Sequence, residues 1–172
     1  MIWDRVAPLY DLVVNTLNRR VYDGTGGAVA RLIRPGDTVL ECACGTGAIS
    51  AAIAPACARV VATDYSEGML KQARKKLAKH SNVTVEQADI TALSYATDSF
   101  DVAVAGNVIH LLPDPAQALR ELTRVVKLGG HDHRPHLREP RRWCEQPHSA
   151  AVVAPGGALS GALHPGLVPG VL

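Results

Sequence analysis

Three small residues and one acid stand at a spacing that could do chemistry. Gly45-Thr46-Gly47 forms a tight turn just after a short apolar run, Val39-Leu40, that ends in Glu41. Asp64 lies 19 residues after Gly45 and closes a second apolar run, Arg59 to Thr63. Small residues let a backbone come close to a ligand, and a helix amino terminus beside the turn favours anions. An acid closing the second strand can accept hydrogen bonds from both hydroxyls of a ribose. Turn and acid together are the chemistry of nucleotide binding. Each alone says less: a bare Gly-x-Gly is often an ordinary turn, and a lone Asp64 could be a solvated acid at a strand end.

Those residues need a scaffold of alternating strands and helices. Val39-Leu40 reads as a buried strand, and Ala48 to Ala54 as a small-residue helix. Ser66 is placed to cap the next helix, with Met69, Leu70, Ala73 and Leu77 as its buried stripe. Lys71, Lys75, Lys76 and Lys79 form its wet face, a solvated surface rather than a phosphate site. Val83 to Glu86 is a third strand. Phe100 to Ala105 is a fourth, with Val102 and Val104 on one face and Ala103 and Ala105 on the other. Asp114 caps a last helix that starts with Pro115 and turns Leu119, Leu122, Val125 and Val126 inward. Upstream, residues 3–33 read as one or two helices broken by Asp23-Gly24-Thr25-Gly26-Gly27.

Composition narrows the class. The 172 residues suffice for one domain, and 47% apolar with 20% charged is ordinary for a globule. A net charge of +2 is too small to argue for nucleic acid. Two of the four cysteines stand as Cys42-x-Cys44; they give no Cys-x-x-Cys pair, read as small fillers of the turn, and fit a reduced cytoplasmic protein. Met1 to Arg5 lacks the apolar core of a signal peptide. Residues 150–172 carry no charged side chain, but Pro155, Pro165, Pro169 and five glycines argue against a membrane helix.

Five segments in order carry a family likeness: Glu41-x-Ala43-Cys44-Gly45-Thr46-Gly47; Ala62-Thr63-Asp64-Tyr65 running on to Met69-Leu70; Gln87-Ala88-Asp89-Ile90; Phe100 to Pro115 with Gly106-Asn107 inside it; and Arg124 to Gly130. The chain resembles the seven-stranded S-adenosylmethionine-dependent methyltransferases, in the small-molecule branch that includes ubiquinone/menaquinone-type enzymes. The likeness covers residues 1–130. Ala43 stands where the family has its first glycine, and Leu128 where it has a proline. The resemblance implies S-adenosyl-L-methionine as cofactor, held by Glu41, Ala43, Gly45, Thr46, Gly47, Asp64, Tyr65, Met69, Asp89, Ile90 and Asn107. In that reading Asp64 takes the ribose, Tyr65 and Met69 flank the adenine, and Asp89 with the Ile90 backbone meets its edge. Met69 is equally readable as core. Tyr10 and Tyr22 lie in a leader that would cover the cofactor and shape the acceptor pocket, although plain core aromatics explain them as well.

Methyl transfer from a sulfonium is an in-line displacement on an electrophile already activated, so the protein positions and desolvates. No triad, metal cluster or paired carboxylates stand out in residues 1–130, which fits that reaction better than hydrolysis. His110, just past the fourth strand, and Tyr10 are the weak candidates for a catalytic group. For His110 a loop histidine is the plainer reading.

After Gly130 the pattern stops. Residues 131–172 hold five of the seven histidines, six of the eleven prolines and none of the five lysines, and show no helix or strand period. His131, His133 and His136 invite a metal, but Pro135 between them makes a poor ligand set. Back-translated and read one base later, His131 to Glu139 permits an apolar, β-branched segment such as Met-Ile-Ile-Ala-Pro-Thr-Tyr-Val-Asn, a strand where a fifth strand belongs. The expectation is therefore an α/β, Rossmann-like doubly wound domain over 1–130. Its sheet is mostly parallel with helices on both faces, and its carboxyl-terminal strands are missing. Residues 131–172 would be an irregular, out-of-frame tail that leaves the fourth strand an open edge. The leading function is methyl transfer to a small molecule, without nucleic acid, metal or stable membrane insertion. A binding fragment without turnover and a nicotinamide-dependent oxidoreductase are the alternatives. The latter is weakened because Ser50 stands where a further glycine belongs.

Overall fold

The computed structural model describes residues 19–127, 150–153 and 159–160. Helix α1 (Arg19–Ala30) leads into strand β1 (Thr38–Cys42) and helix α2 (Ala48–Ile53). Strand β2 (Arg59–Asp64), helix α3 (Glu67–Leu77) and strand β3 (Val83–Gln87) follow. Then come β4 (Val102–Gly106), α4 (Pro115–Val125), β5 (Ala150–Val153) and β6 (Leu159–Ser160). The sheet order is β3-β2-β1-β4-β5-β6. The first four strands run parallel, with Leu40 of β1 opposite Val61 of β2 and Ala103 of β4.

Two cores cover the two faces of this sheet. On one side, α1, α2 and α3 bring Val29, Ile53 and Leu70 against Val39, Val60 and Val104. On the other, α4 sets Ala118, Leu122 and Val125 against Leu40, Ala103 and Ala105. The alternation expected of the fourth strand is thus realised, and the fold is a Rossmann-like doubly wound sheet. The caps hold as well. Ser66 Oγ accepts from Met69 N at 3.3 Å, and Asp114 Oδ1 accepts from Gln117 N at 3.0 Å.

Four expectations need correcting. Residues 23–27 do not break the leader: α1 runs through them. A Cβ on Gly26 would stand 2.6 Å from the Ala52 Cβ, so the glycine serves a close approach of α1 to α2. Helix α2 ends at Ile53, and Pro55 falls in a 3-10 turn, because proline cannot donate within a helix. Strand β4 begins at Val102. Phe100 bridges Val126 instead, and its ring meets Tyr95 edge-on with centroids 5.0 Å apart. Finally, β4 is not an open edge. Ala150–Val153 lies antiparallel beside it, pairing Val104 with Val152 and Ala105 with Ala151. Four consecutive small or branched apolar residues suit such an edge even without a strand period.

Candidate functional site

The strand order places a switch point between β1 and β4, where the connections leave in opposite directions. Ligands of open α/β sheets bind at the carboxyl ends of the strands flanking such a point. The Ala43–Gly47 turn lies there. Its backbone is left-handed at Ala43 (φ 53°), Gly45 (φ 56°) and Gly47 (φ 82°). Among the described residues no atom lies within 4 Å of where a Gly45 Cβ would be, so none of them fills the space over it. At Gly47 a Cβ would stand 2.8 Å from the Leu77 Cδ1, so a side chain there would displace Leu77. Ala43 tolerates its methyl at a conformational cost of about 1 kcal/mol.

Strand β2 stitches the turn in place. Cys44 N donates to Thr63 O at 2.8 Å, and Thr63 Oγ1 donates to Glu41 O at 3.0 Å. Gly45 N donates to Asp64 Oδ2 at 2.8 Å, while Ser66 N donates to Asp64 Oδ1 at 2.9 Å. The two residues singled out by their spacing are therefore in direct contact. Asp64 O also accepts from Ala88 N at 3.1 Å, which draws the segment before Asp89 to the same sheet edge. There Asp89 is exposed and holds Thr91 N at 2.8 Å, with Ile90 buried beside it. Gly106 ends β4 against α2, where a Cβ would meet the Ile49 Cδ1 at 2.5 Å, and Asn107 follows with φ 54°.

Glu41 sits beneath the turn. It is 1% exposed, and Ser50 Oγ donates to its Oε2. Burial pushes its carboxyl up from 4.5 to about 8; the Ser50 hydrogen bond opposes this and the charge of Asp64 adds to it. Burial likewise raises the Cys42 thiol to about 12 and holds Cys44 well above its ordinary value, so both stay protonated fillers. Of the two residues expected to flank an adenine, Met69 is buried at 4% exposed, and Tyr65 is 52% exposed with its backbone oxygen accepting from Gln87 Nε2. His110 is exposed on the 3-10 turn Ile109–Leu111. Tyr10 and the histidines at 131, 133 and 136 lie outside the described residues, and Tyr22 falls within α1. Among the described residues no three His, Cys, Asp or Glu side chains gather as a metal site.

Sequence reasoning missed two partners of the turn. Ser50, noted only as a missing glycine, holds Glu41. Lys76, read as wet surface, is half-buried and donates to Thr46 Oγ1 at 3.0 Å. Its position three residues after Ala73 puts it on the flank of the buried stripe, and that phase was the available signal.

The methyltransferase domain family matches residues 40–131, more than half of the chain and the whole of this site from Leu40 to Pro115. The chain belongs to that family. A demethylmenaquinone methyltransferase of Clavibacter sepedonicus is 37% identical over 131 residues, 75% of this chain and 54% of the relative. The ubiquinone/menaquinone biosynthesis C-methyltransferase of Bdellovibrio bacteriovorus is 35% identical over 134 residues, 75% of this chain and 57% of the relative. The chain spans about half the length of the curated relatives it matches. A solved Methanococcus maripaludis structure, described as an S-adenosyl-L-methionine-dependent methyltransferase, is similar with a TM-score of 0.66 at 25% identity, covering 74% of this chain and 60% of that one. Among the described residues no helix is long and apolar enough to cross a membrane.

Proposed function

We propose that the chain binds S-adenosyl-L-methionine and belongs to an enzyme that transfers its methyl group to a small molecule. The observation that carries this reading is the Gly45–Asp64 contact at the switch point, with none of the described residues filling the space over Gly45. A nucleoside fits such a cradle. The bare Cα of Gly45 admits it, and the Asp64 carboxylate, which already draws in Gly45 N and Ser66 N, stands at the carboxyl end of β2 beside it. Asp64 would hold the ribose hydroxyls, Asp89 and the Ile90 backbone the adenine edge, and Gly106-Asn107 with the turn the amino-acid end. When bound, S-adenosyl-L-methionine supplies a methyl group on a sulfonium, ready for displacement. The work left to the protein is to orient the acceptor and exclude water.

For the acceptor we propose a small molecule of the quinone class, the class that the relatives' names give for those proteins. The exposed Leu111 and Tyr65 offer apolar surface on the same sheet edge. His110, beside Leu111, is the candidate base for a hydroxyl. We place the protein in the reducing cytoplasm, in keeping with the free thiols of Cys42, Cys44 and Cys57. A nicotinamide reading is disfavoured because Ser50 is committed to Glu41 where that fold needs a glycine.

Calorimetry of the full chain with S-adenosylhomocysteine and with NADH tests this. The expected result is binding of the first and not of the second, with Asp64→Ala weakening the first by about 1.5–3 kcal/mol, the usual loss of a hydrogen bond to a charged group. Equal binding with and without Asp64 would remove the ribose role.

A further inference from the structure

Helix α3 carries three lysines, a fourth, Lys79, follows just past its end, and one of the four behaves unlike the rest. Lys71, Lys75 and Lys79 are exposed; Lys76 is half-buried. Its Nζ donates to Thr46 Oγ1 at 3.0 Å, and Thr46 is only 5% exposed. The next residue, Leu77, is the one that would collide with a Cβ on Gly47. Two consecutive residues of α3 thus engage two consecutive residues of the ligand turn. An ammonium gives up hydration to reach a sheltered hydroxyl, and the partly desolvated charge is screened less than one in open water. With its oxygen accepting from a cation, Thr46 is held in one orientation, and an ammonium stands against the turn on the α3 side.

We propose that Lys76 is a positioning residue for the ligand: acting through Thr46, it fixes the Gly45–Gly47 turn and biases it toward a ligand with a carboxylate at that end. The inference rests on the cofactor reading above, since the amino-acid end of S-adenosyl-L-methionine carries such a group.

The test compares two probes on the full chain. One is S-adenosylhomocysteine. The other is its decarboxylated analogue, the same thioether nucleoside with the amine but without the carboxylate. Lys76→Met should weaken S-adenosylhomocysteine about three- to tenfold. The analogue should bind unchanged or slightly tighter, and Lys76→Arg should restore most of the difference. Added salt should weaken S-adenosylhomocysteine more than the analogue on the unsubstituted protein, a readout that needs no variant to fold. Equal loss for both probes, or loss for neither, overturns the proposal: the lysine would then serve packing alone. An unsubstituted chain that binds neither probe overturns the cofactor reading itself, a different result from equal loss.

Discussion

Asp64 gives one carboxylate oxygen to Gly45 N and the other to Ser66 N, so the turn is already drawn into shape around the acid. Spacing made this pair legible, because an acid at the end of the second strand has few other uses so close to a glycine turn. Glu41 was legible only as a motif letter. Its burial is what gives it consequences. The folded-state pKa of about 8 lies above the ordinary 4.5. Between those values the folded protein keeps a proton that the unfolded chain releases, so this group's contribution to stability is full below about pH 4.5 and falls as pH rises toward 8. At 1.36 kcal/mol per unit the ceiling on that loss is about 5 kcal/mol. Glu41→Gln keeps an acceptor for Ser50 and cannot ionise. Urea unfolding of the variant should show a much shallower decline from pH 5 to pH 8 than the parent, and it should be the more stable protein at pH 8. An identical slope in both proteins would mean that Glu41 is not a buried neutral acid. Lys76 escaped reading because charge runs usually mean solvent, and only the packing of α3 on the turn shows otherwise.

Among the elements, those set by local chemistry were readable. Ser66 and Asp114 cap α3 and α4, and the valines and alanines of β4 fall on opposite faces. Helix α1 was misread where tertiary contact overrode propensity. Gly24, Gly26 and Gly27 look like a breaker in a sequence, but the helix continues because Gly26 sits against α2. The two neighbouring glycines should then respond in opposite ways. A methyl at position 26 would press on the Cβ of Ala52, which cannot swing away, so Gly26→Ala should destabilise by about 1–3 kcal/mol. At Gly27 none of the described residues lies within 4 Å, and Gly27→Ala should stabilise by about 0.5–1 kcal/mol through helix propensity alone. Thermal melts of the two variants decide this. Two shifts of the same sign would mean that α1 does not pack on α2 as described.

At the scale of the whole molecule, the parallel half of the sheet was legible and its far edge was not. A parallel neighbour for β4 requires a right-handed crossover of a dozen residues or more, usually a helix. An antiparallel return has no such requirement, and Ala150–Val153 takes that course. The pairing covers an edge that would otherwise invite association, and any short apolar segment can supply it. It therefore does not mark residues 131–172 as the segment this domain was selected with. We propose that they are translated out of frame. The composition breaks at Gly130, the family match ends at residue 131, and the shifted reading of His131 to Glu139 is strand-like. The coding DNA decides. A one-base shift near the Gly130 codon should open a frame that continues through further strands and helices and pairs a parallel strand with β4. The restored protein should methylate an acceptor of the quinone class under conditions where the present chain does not. An immediate stop in the shifted frame, or equal activity of the two proteins, would make the antiparallel β5 an authentic part of the fold.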